Sequence, residues 1–202
     1  MKPGTTVAEF RTSDERFVTI RSLKYTDLDA MVEFANKLVK DKRTNRDLGI
    51  VSFDRRMTHK EEREFLKMVI EGNMNGDVVS LGAFAGGNLV GHCDLKRRKP
   101  ADVRHSGVLG IVVLEGYRGV GLGEKLLTEV LGEAQRRGVW LVELTVFAIN
   151  ERAIHLYEKL GFRRVGIVPD KMHRDGRYLD EVAMYVDLRG SDKSPTTARG
   201  KR

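Results

Sequence analysis

The chain has 202 residues, 41% hydrophobic and 32% charged, and carries a formal net charge of +7. That length and composition suit one soluble globular domain. No stretch approaches the roughly 20 apolar residues of a membrane span, and Met1-Lys2-Pro3-Gly4-Thr5-Thr6 lacks the apolar core of a signal peptide. A single cysteine, Cys93, excludes an intrachain disulfide and a multi-cysteine metal site, so no metal is expected and a reducing cytoplasm is the expected compartment.

Residues 1–16 read as a mobile lead, and residues 17–21 as the first strand. Thr26 or Asp27 is placed to cap a helix whose apolar positions Leu28, Met31, Val32, Ala35, Leu38 and Val39 share one face. Residues 41–54 are polar with little periodicity and read as loop. Thr58-His59-Lys60-Glu61 has capping-box spacing and opens a second helix to about Glu71, with Gly72-Asn73 as its stop. Residues 78–84 and 89–95 flank Ala85-Gly86-Gly87-Asn88, a hairpin signal. A basic loop follows, then the apolar run 108–113, which reads as a buried strand. A third helix is expected over 121–137 with Gly138 as its stop, then a strand at 141–147 and a helix at 151–160. Residues 163–168 and 181–188 read as a final antiparallel pair joined by a long polar loop. Residues 190–202 have no apolar periodicity and read as a disordered basic tail; Lys193, Arg199, Lys201 and Arg202 against Asp192 give it +3 of the net charge. The expected domain is therefore 17–189, an α/β sandwich of order β-α-α-β-β-β-α-β-α-β-β. A basic domain suits a polyanionic cofactor, and nucleic-acid binding is not expected as the main function.

Arg118-Gly119-Val120-Gly121-Leu122-Gly123 stands between the apolar strand and the helical pattern Leu122, Leu126, Leu127, Val130, Leu131, Ala134. A glycine-rich turn at a helix N-terminus points successive amides into one concavity, and the helix dipole adds partial positive charge there, which suits a pyrophosphate. The turn ends Leu122-Gly123-Glu124, so it is not a Walker loop, and its alternating glycines depart from the dinucleotide-binding fingerprint. A second segment, running from Asn150 to Phe162, follows the strand at 141–147. With Arg118-x-x-Gly121-x-Gly123 and Asn150-x-x-Ala153-x-x-Leu156-Tyr157-x-x-x-Gly161-Phe162 in this order, each after a strand, residues 17–189 resemble the GNAT superfamily of acetyl-CoA-dependent N-acetyltransferases.

The resemblance implies a GNAT fold: a mixed, mostly antiparallel central sheet with two splayed strands, flanked by about four helices. It implies an enzyme that moves an acetyl group from acetyl-CoA directly to a primary amine, with no acyl-enzyme, since Cys93 lies outside both motifs. The backbone of Ile111, Val112 and Val113 is then expected to pair with the pantetheine arm, with the Val113 N–H near the thioester carbonyl. Arg118, through its charge or its amide, and Gly119, Val120, Gly121, Leu122 and Gly123, through their amides, are expected at the pyrophosphate. Asn150 faces the cofactor or caps its helix. Tyr157 is the expected acid for the leaving thiolate, or else a core tyrosine.

The motifs do not assign a base. Gly107 and Thr145 stand where some relatives carry a glutamate. Glu143, on the same strand face as Thr145, is the candidate for a water relay, with His105, His173 and Asp180 as others. Tyr178 and Asp180 are the expected ammonium contacts; Arg174-Asp175-Gly176-Arg177-Tyr178-x-Asp180 resembles members acting on amino acids, small amines or protein N-termini. The expected partner is thus a small-molecule amine, or alternatively a protein N-terminus or ribosomal protein. A non-catalytic acetyl-CoA sensor is the remaining alternative. Exposed strand edges allow a homodimer, and no membrane partner is expected.

Overall fold

A computed structural model describes residues 1–45 and 55–189. Its described residues form one sheet of β1 (Thr6–Arg11), β2 (Phe17–Arg21), β3 (Val78–Ala85), β4 (Asn88–Arg97), β5 (Ser106–Val113), β6 (Leu141–Phe147), β7 (Arg163–Arg174) and β8 (Arg177–Asp187). The spatial order is β1-β2-β3-β4-β5-β6-β8-β7, and every neighbouring pair is antiparallel except β5–β6. The helices are α1 (Leu28–Thr44), α2 (His59–Asn75), α3 (Leu122–Arg136) and α4 (Glu151–Lys159). None of the described helices is long and apolar enough to cross a membrane.

Alternation along β4 sorts the helices onto faces. His92 meets Phe65 of α2 edge-on, with ring centroids 5.8 Å apart. At the neighbouring Gly91, a Cβ would meet Leu126 of α3 at 3.0 Å. Successive strand residues point to opposite faces, so α2, with α1 packed against it, covers one face and α3 the other. The apolar stripe of α3 read from sequence (Leu122, Leu126, Leu127, Val130, Leu131 and Ala134) is buried throughout. On the same face α4 lies beside α3, where Lys159 pairs with Glu124 at 2.7 Å.

Four sequence expectations need correction. Residues 1–16 are not a detached lead: Thr6–Arg11 forms β1 on β2, the Ser13 N–H donates to the Val120 carbonyl (3.2 Å), and Arg16 donates to the Gly116 carbonyl (2.7 Å) while stacking on Tyr117. The pattern of β1 is hard to read because, as an edge strand, it buries little on either face. Next, α2 does not stop at Gly72-Asn73. It runs on to Asn75, and Gly76, at φ +85°, is its left-handed cap. Gly72 is there for space, since a Cβ would lie 2.5 Å from Val78 Cγ2. Asn73 is buried and bonds the Ser80 backbone in both directions, donating to its carbonyl (2.8 Å) and accepting from its N–H (3.1 Å). Finally, the long polar loop expected between the last strands is mostly hairpin. β7 and β8 extend to a tight turn at Asp175-Gly176, both at positive φ, with a register shift between Val168 and Met172. Of the loop expected at 41–54, Asp41 to Thr44 are the last turn of α1; residues 46–54 and the tail 190–202 lie outside the described residues.

Asn73→Ala is expected to cost about 2–3 kcal/mol, because two buried backbone groups of β3 lose their partners. Denaturant unfolding should show a lower midpoint with an unchanged slope.

Candidate active site

The ladder between β5 and β6 is short. Ser106, Gly107 and Val108 pair with Leu141, Val142 and Glu143, and pairing stops there. Beyond that point β5 stays on β4 as far as Val113, and β6 stays on β8 as far as Phe147, so the two strands part and leave a gap between them. The Leu114 N–H donates to the Val90 carbonyl (3.0 Å), which makes Val113 and Gly91 a pair that exchanges no bonds. Val113 therefore turns its own N–H and C=O toward the gap, and by the same alternation so does Ile111. The gap opens into a cavity of about 1010 Å³ lined by residues 109–113, Thr145 and Val146 of the two strands, by the glycine turn, and by side chains from α1, α2, β4 and α4.

The glycine turn forms the end of this cavity nearest α3. Gly119 and Gly121 sit at φ +81° and +84°, and Gly121 caps α3. The Lys125 N–H makes the first bond of that helix, to the Gly121 carbonyl. From Gly119 to Glu124 the amides have no acceptor among the described residues, the condition of a helix N-terminus that receives an anion. The neighbouring chain holds the turn in place: a Cβ on Gly121 would meet Phe10 of β1 at 3.3 Å, and one on Gly119 would overlap the Arg152 guanidinium. Arg152, on α4, thus lays a cation across the turn. It went unnoticed in sequence because it sits inside the second motif at a position the motif leaves open.

Arg118 is already engaged. Its Nε donates to the Val113 carbonyl (2.8 Å), its Nη2 pairs with Asp41 (3.1 Å), and its amide donates to the Glu115 carbonyl (3.1 Å). It braces the turn against β5 and α1, with its charge answered by Asp41 and its amide by the Glu115 carbonyl. Asn150 caps α4, accepting from the Ala153 N–H at 3.2 Å, and also lines the cavity.

Tyr157 is buried and lines the cavity from the α4 side. Burial, with a smaller contribution from Cys93, holds its phenol pKa well above the usual range, so it stays protonated. No sealed side-chain polar atom lacks a partner among the described residues, so the phenol oxygen, which has none, opens to the cavity. Cys93 is fully buried, and desolvation pushes its thiol pKa up, so it remains a neutral thiol.

Several candidates are not brought here. Glu143 lies where β5 and β6 are still paired, and its carboxylate is held by Arg98. Sharing a face with Thr145 does not carry it past the point of divergence. Tyr178 is 64% exposed on the β7–β8 hairpin against His173, and Asp180 accepts from the Asp170 N–H (3.0 Å); neither lines the cavity. His105 stacks on Trp140, ring centroids 4.2 Å apart, outside the cavity. Gly107 cannot give way to a side chain, because a Cβ would come within 2.6 Å of Leu95 Cδ2 and 3.0 Å of the Lys96 carbonyl.

The family model of the acetyltransferase (GNAT) family matches residues 47–162. The chain belongs to this family. It is an N-acetyltransferase, and the expected GNAT fold is the one observed. Over 172 residues it is 27% identical to an L-methionine sulfoximine/L-methionine sulfone acetyltransferase of Salmonella typhimurium, an overlap of 85% of this chain and 95% of that one. A ribosomal-protein-alanine N-acetyltransferase from Brucella melitensis is 28% identical, with TM-score 0.71, over 84% of this chain and 99% of that one. A phosphinothricin acetyltransferase from Sinorhizobium meliloti, solved in complex with AcCoA, matches with TM-score 0.72 over 89% of this chain and 94% of its own; at 21% identity this is a likeness of fold.

The acetyltransferase has a further group that sequence reading passed over. Glu62 of α2 lines the cavity and is only 4% exposed. Its neighbour Glu61 closes the capping box with Thr58 and pairs with Arg55, which pulls its pKa down to about 2. Glu62 has no such partner among the described residues; burial, reinforced by the Glu61 charge, pushes its pKa up to about 7. Beside it, His92 accepts from or donates to Ser80 Oγ at 2.8 Å and is kept neutral by burial, and Lys96 pairs with Asp94 at 3.7 Å. The sequence signal was present but ambiguous: Glu62 falls on the same helix face as Leu66, Val69 and Ile70.

The Glu62 pKa of about 7, against 4.5 for an ordinary glutamate, means that ionisation works against the fold. Its stabilising contribution is complete below about pH 4.5 and is lost as the pH rises through 7. Glu62→Gln is therefore expected to stabilise the protein by about 1–3 kcal/mol at pH 8, a gain that vanishes near pH 4.5. Thermal unfolding across that range checks it.

Proposed function

We propose that this acetyltransferase moves the acetyl group of acetyl-CoA to the primary amine of an amino acid or a comparable small molecule, in the cytoplasm. The observation that carries the reading is the divergence of β5 from β6 into a cavity that joins unpaired amides at one end to a buried carboxyl at the other. Similarity to an enzyme named for L-methionine sulfoximine and L-methionine sulfone supports the acceptor class. Similarity to a ribosomal-protein-alanine N-acetyltransferase makes a peptide N-terminus the second reading.

The chain's residues fit a coenzyme A thioester. The free amides of Gly119 to Glu124 and the Arg152 guanidinium suit its diphosphate. The outward N–H and C=O of Ile111 and the N–H of Val113, whose carbonyl Arg118 holds, match the amides of its arm. When bound, the thioester supplies an acetyl carbon open to attack by an amine. Val113 then offers its N–H to the oxygen that gains charge. Tyr157, protonated at every physiological pH, holds a proton where the thiolate departs. Cys93 takes no part, its thiol being sealed in the core. Arg118 positions Val113 and the turn relative to one another rather than touching phosphate.

Wild-type protein is expected to release free thiol from acetyl-CoA with an amino-acid acceptor at a kcat/KM above that for short peptides; the opposite ranking favours the peptide reading. Tyr157→Phe should lower kcat about 10²-fold or more while leaving the KM for acetyl-CoA within about threefold. Gly119→Ala, which combines a positive φ with overlap on Arg152, should weaken acetyl-CoA binding roughly tenfold in calorimetry.

A further inference from the structure

We propose that Glu62 is the base that takes the proton from the acceptor ammonium, reaching it from helix α2 rather than from the strands. The inference rests on the acetyl-transfer reading above and adds the residue that the sequence motifs leave unassigned. Three structural observations carry it.

The first is position. Glu62 and Tyr157 line one cavity from opposite faces of the sheet, Glu62 with α1 and α2, Tyr157 with α3 and α4. The gap between β5 and β6 joins the two faces. A thioester arm laid along β5 from the glycine turn approaches from the α3 side, which leaves the α2 side to the amine.

The second is the state of the carboxyl. Glu62 is 4% exposed and has neither a hydrogen-bond donor nor a cation as partner among the described residues. Since no sealed side-chain polar atom there is unpartnered, its oxygens face the cavity. The cavity wall on its face of the sheet includes apolar Met31, Phe34 and Ala35 from α1, Phe65 from its own helix and Val112 from β5. A buried acceptor without a donor is costly unless a ligand supplies one.

The third is the set of charged and titratable groups sharing the cavity, none of which answers Glu62 among the described residues. On α2, Glu61 is committed to Arg55 and Thr58. From β4, His92 is neutral and bonded to Ser80, and Asp94 and Lys96 pair with each other. β5 and β6 present only apolar residues, glycine and Thr145. At the far end, Arg118 is held by Asp41 and Glu124 by Lys159, while Glu151 and Arg152 flank the turn. Glu62 is thus the uncommitted carboxyl on the amine side among the described residues, and burial, with the Glu61 charge, gives it a proton affinity close to neutrality.

The proton account closes. The ammonium N–H bond breaks, its electron pair stays on nitrogen, and the proton passes to the Glu62 carboxylate. The N–C bond then forms as the C–S bond breaks. The phenol of Tyr157 gives its proton to sulfur, and the second proton lost by nitrogen restores the phenol. Glu62 returns its proton to solvent through the cavity mouth, so the net products are amide, thiol and one proton.

The test compares wild type, Glu62→Gln and Glu62→Asp with acetyl-CoA and two acceptors: an amino acid, whose amine is protonated at neutral pH, and a hydrazide, whose nitrogen is already neutral. Wild-type kcat/KM for the amino acid should rise about tenfold per pH unit and level off near pH 7. Glu62→Gln should lose that limb and about 10²-fold or more of kcat on the amino acid. On the hydrazide it should lose less than about fivefold, a split that damage to the fold would not produce. Glu62→Asp should recover part of the activity. Acetyl-CoA affinity by calorimetry should match wild type in both variants. Equal losses on both acceptors, or a wild-type profile flat from pH 6 to 8, would overturn the assignment. A wild-type protein that binds acetyl-CoA but acetylates no amine would instead overturn the acetyl-transfer reading, and this inference with it.

Discussion

The site depends on one interruption: a parallel strand pair that stops after three residues. A backbone N–H or C=O without a partner is costly inside a protein, so strands normally remain paired to their ends. Here β5 is tied to β4 through Val113 and β6 to β8 through Phe147, and each keeps its outer partner while losing the other. The freed N–H and C=O of Ile111 and N–H of Val113 are not sealed in the core; they border a cavity into which a ligand with amide groups can complete the ladder. The same divergence brings two opposite faces of the sheet into one space. A donor and an acceptor can therefore approach from different sides and meet.

The surrounding structure holds that gap open. Arg118 links the Val113 carbonyl to Asp41 at the end of α1, and Asp41 also accepts the Glu115 N–H at 2.9 Å. The exit of β5, the 3₁₀ turn at Glu115–Tyr117 and the end of α1 are thereby fastened together. On the outer side, Phe10, Ser13 and Arg16 of the N-terminal hairpin press on the glycine turn and its approach. The turn can leave its amides unpaired because its shape is set by contacts that do not use them.

Electrostatics on the two sides follow from one turn of helix. Glu61 and Glu62 are adjacent on α2 and both reach the cavity wall, yet the roughly 100° rotation per residue leaves Glu61 a third exposed and Glu62 buried. Glu61 closes a capping box and meets Arg55, which pulls its pKa down to about 2; Glu62 is desolvated and holds its proton to near neutrality. Across the sheet, desolvation keeps the Tyr157 phenol protonated. Burial, with smaller contributions from Glu61 and Cys93, thus prepares one group able to accept a proton near neutral pH and another that holds its proton throughout.

The amino-acid sequence by itself determined what depends on local pattern: the strand–glycine turn–helix unit at 108–131, the capping box at Thr58, the hairpin at Gly86-Gly87, and the order of elements from β2 onward. These rest on periodicity and on glycines that adopt positive φ, and such signals need no distant partner. Tertiary structure decided the rest. It joined residues 6–11 to the sheet as an edge strand, set Arg118 between the Val113 carbonyl and Asp41, paired Glu143 with Arg98 short of the divergence, and kept Tyr178 and Asp180 on an outlying hairpin. It also buried Glu62 in the cavity wall, where none of the carboxylates the chain motifs suggested is placed. Chain spacing records which way a side chain can face along its own element; only packing against elements far away in sequence sets whether that side chain meets a cation, a wall or an open cavity.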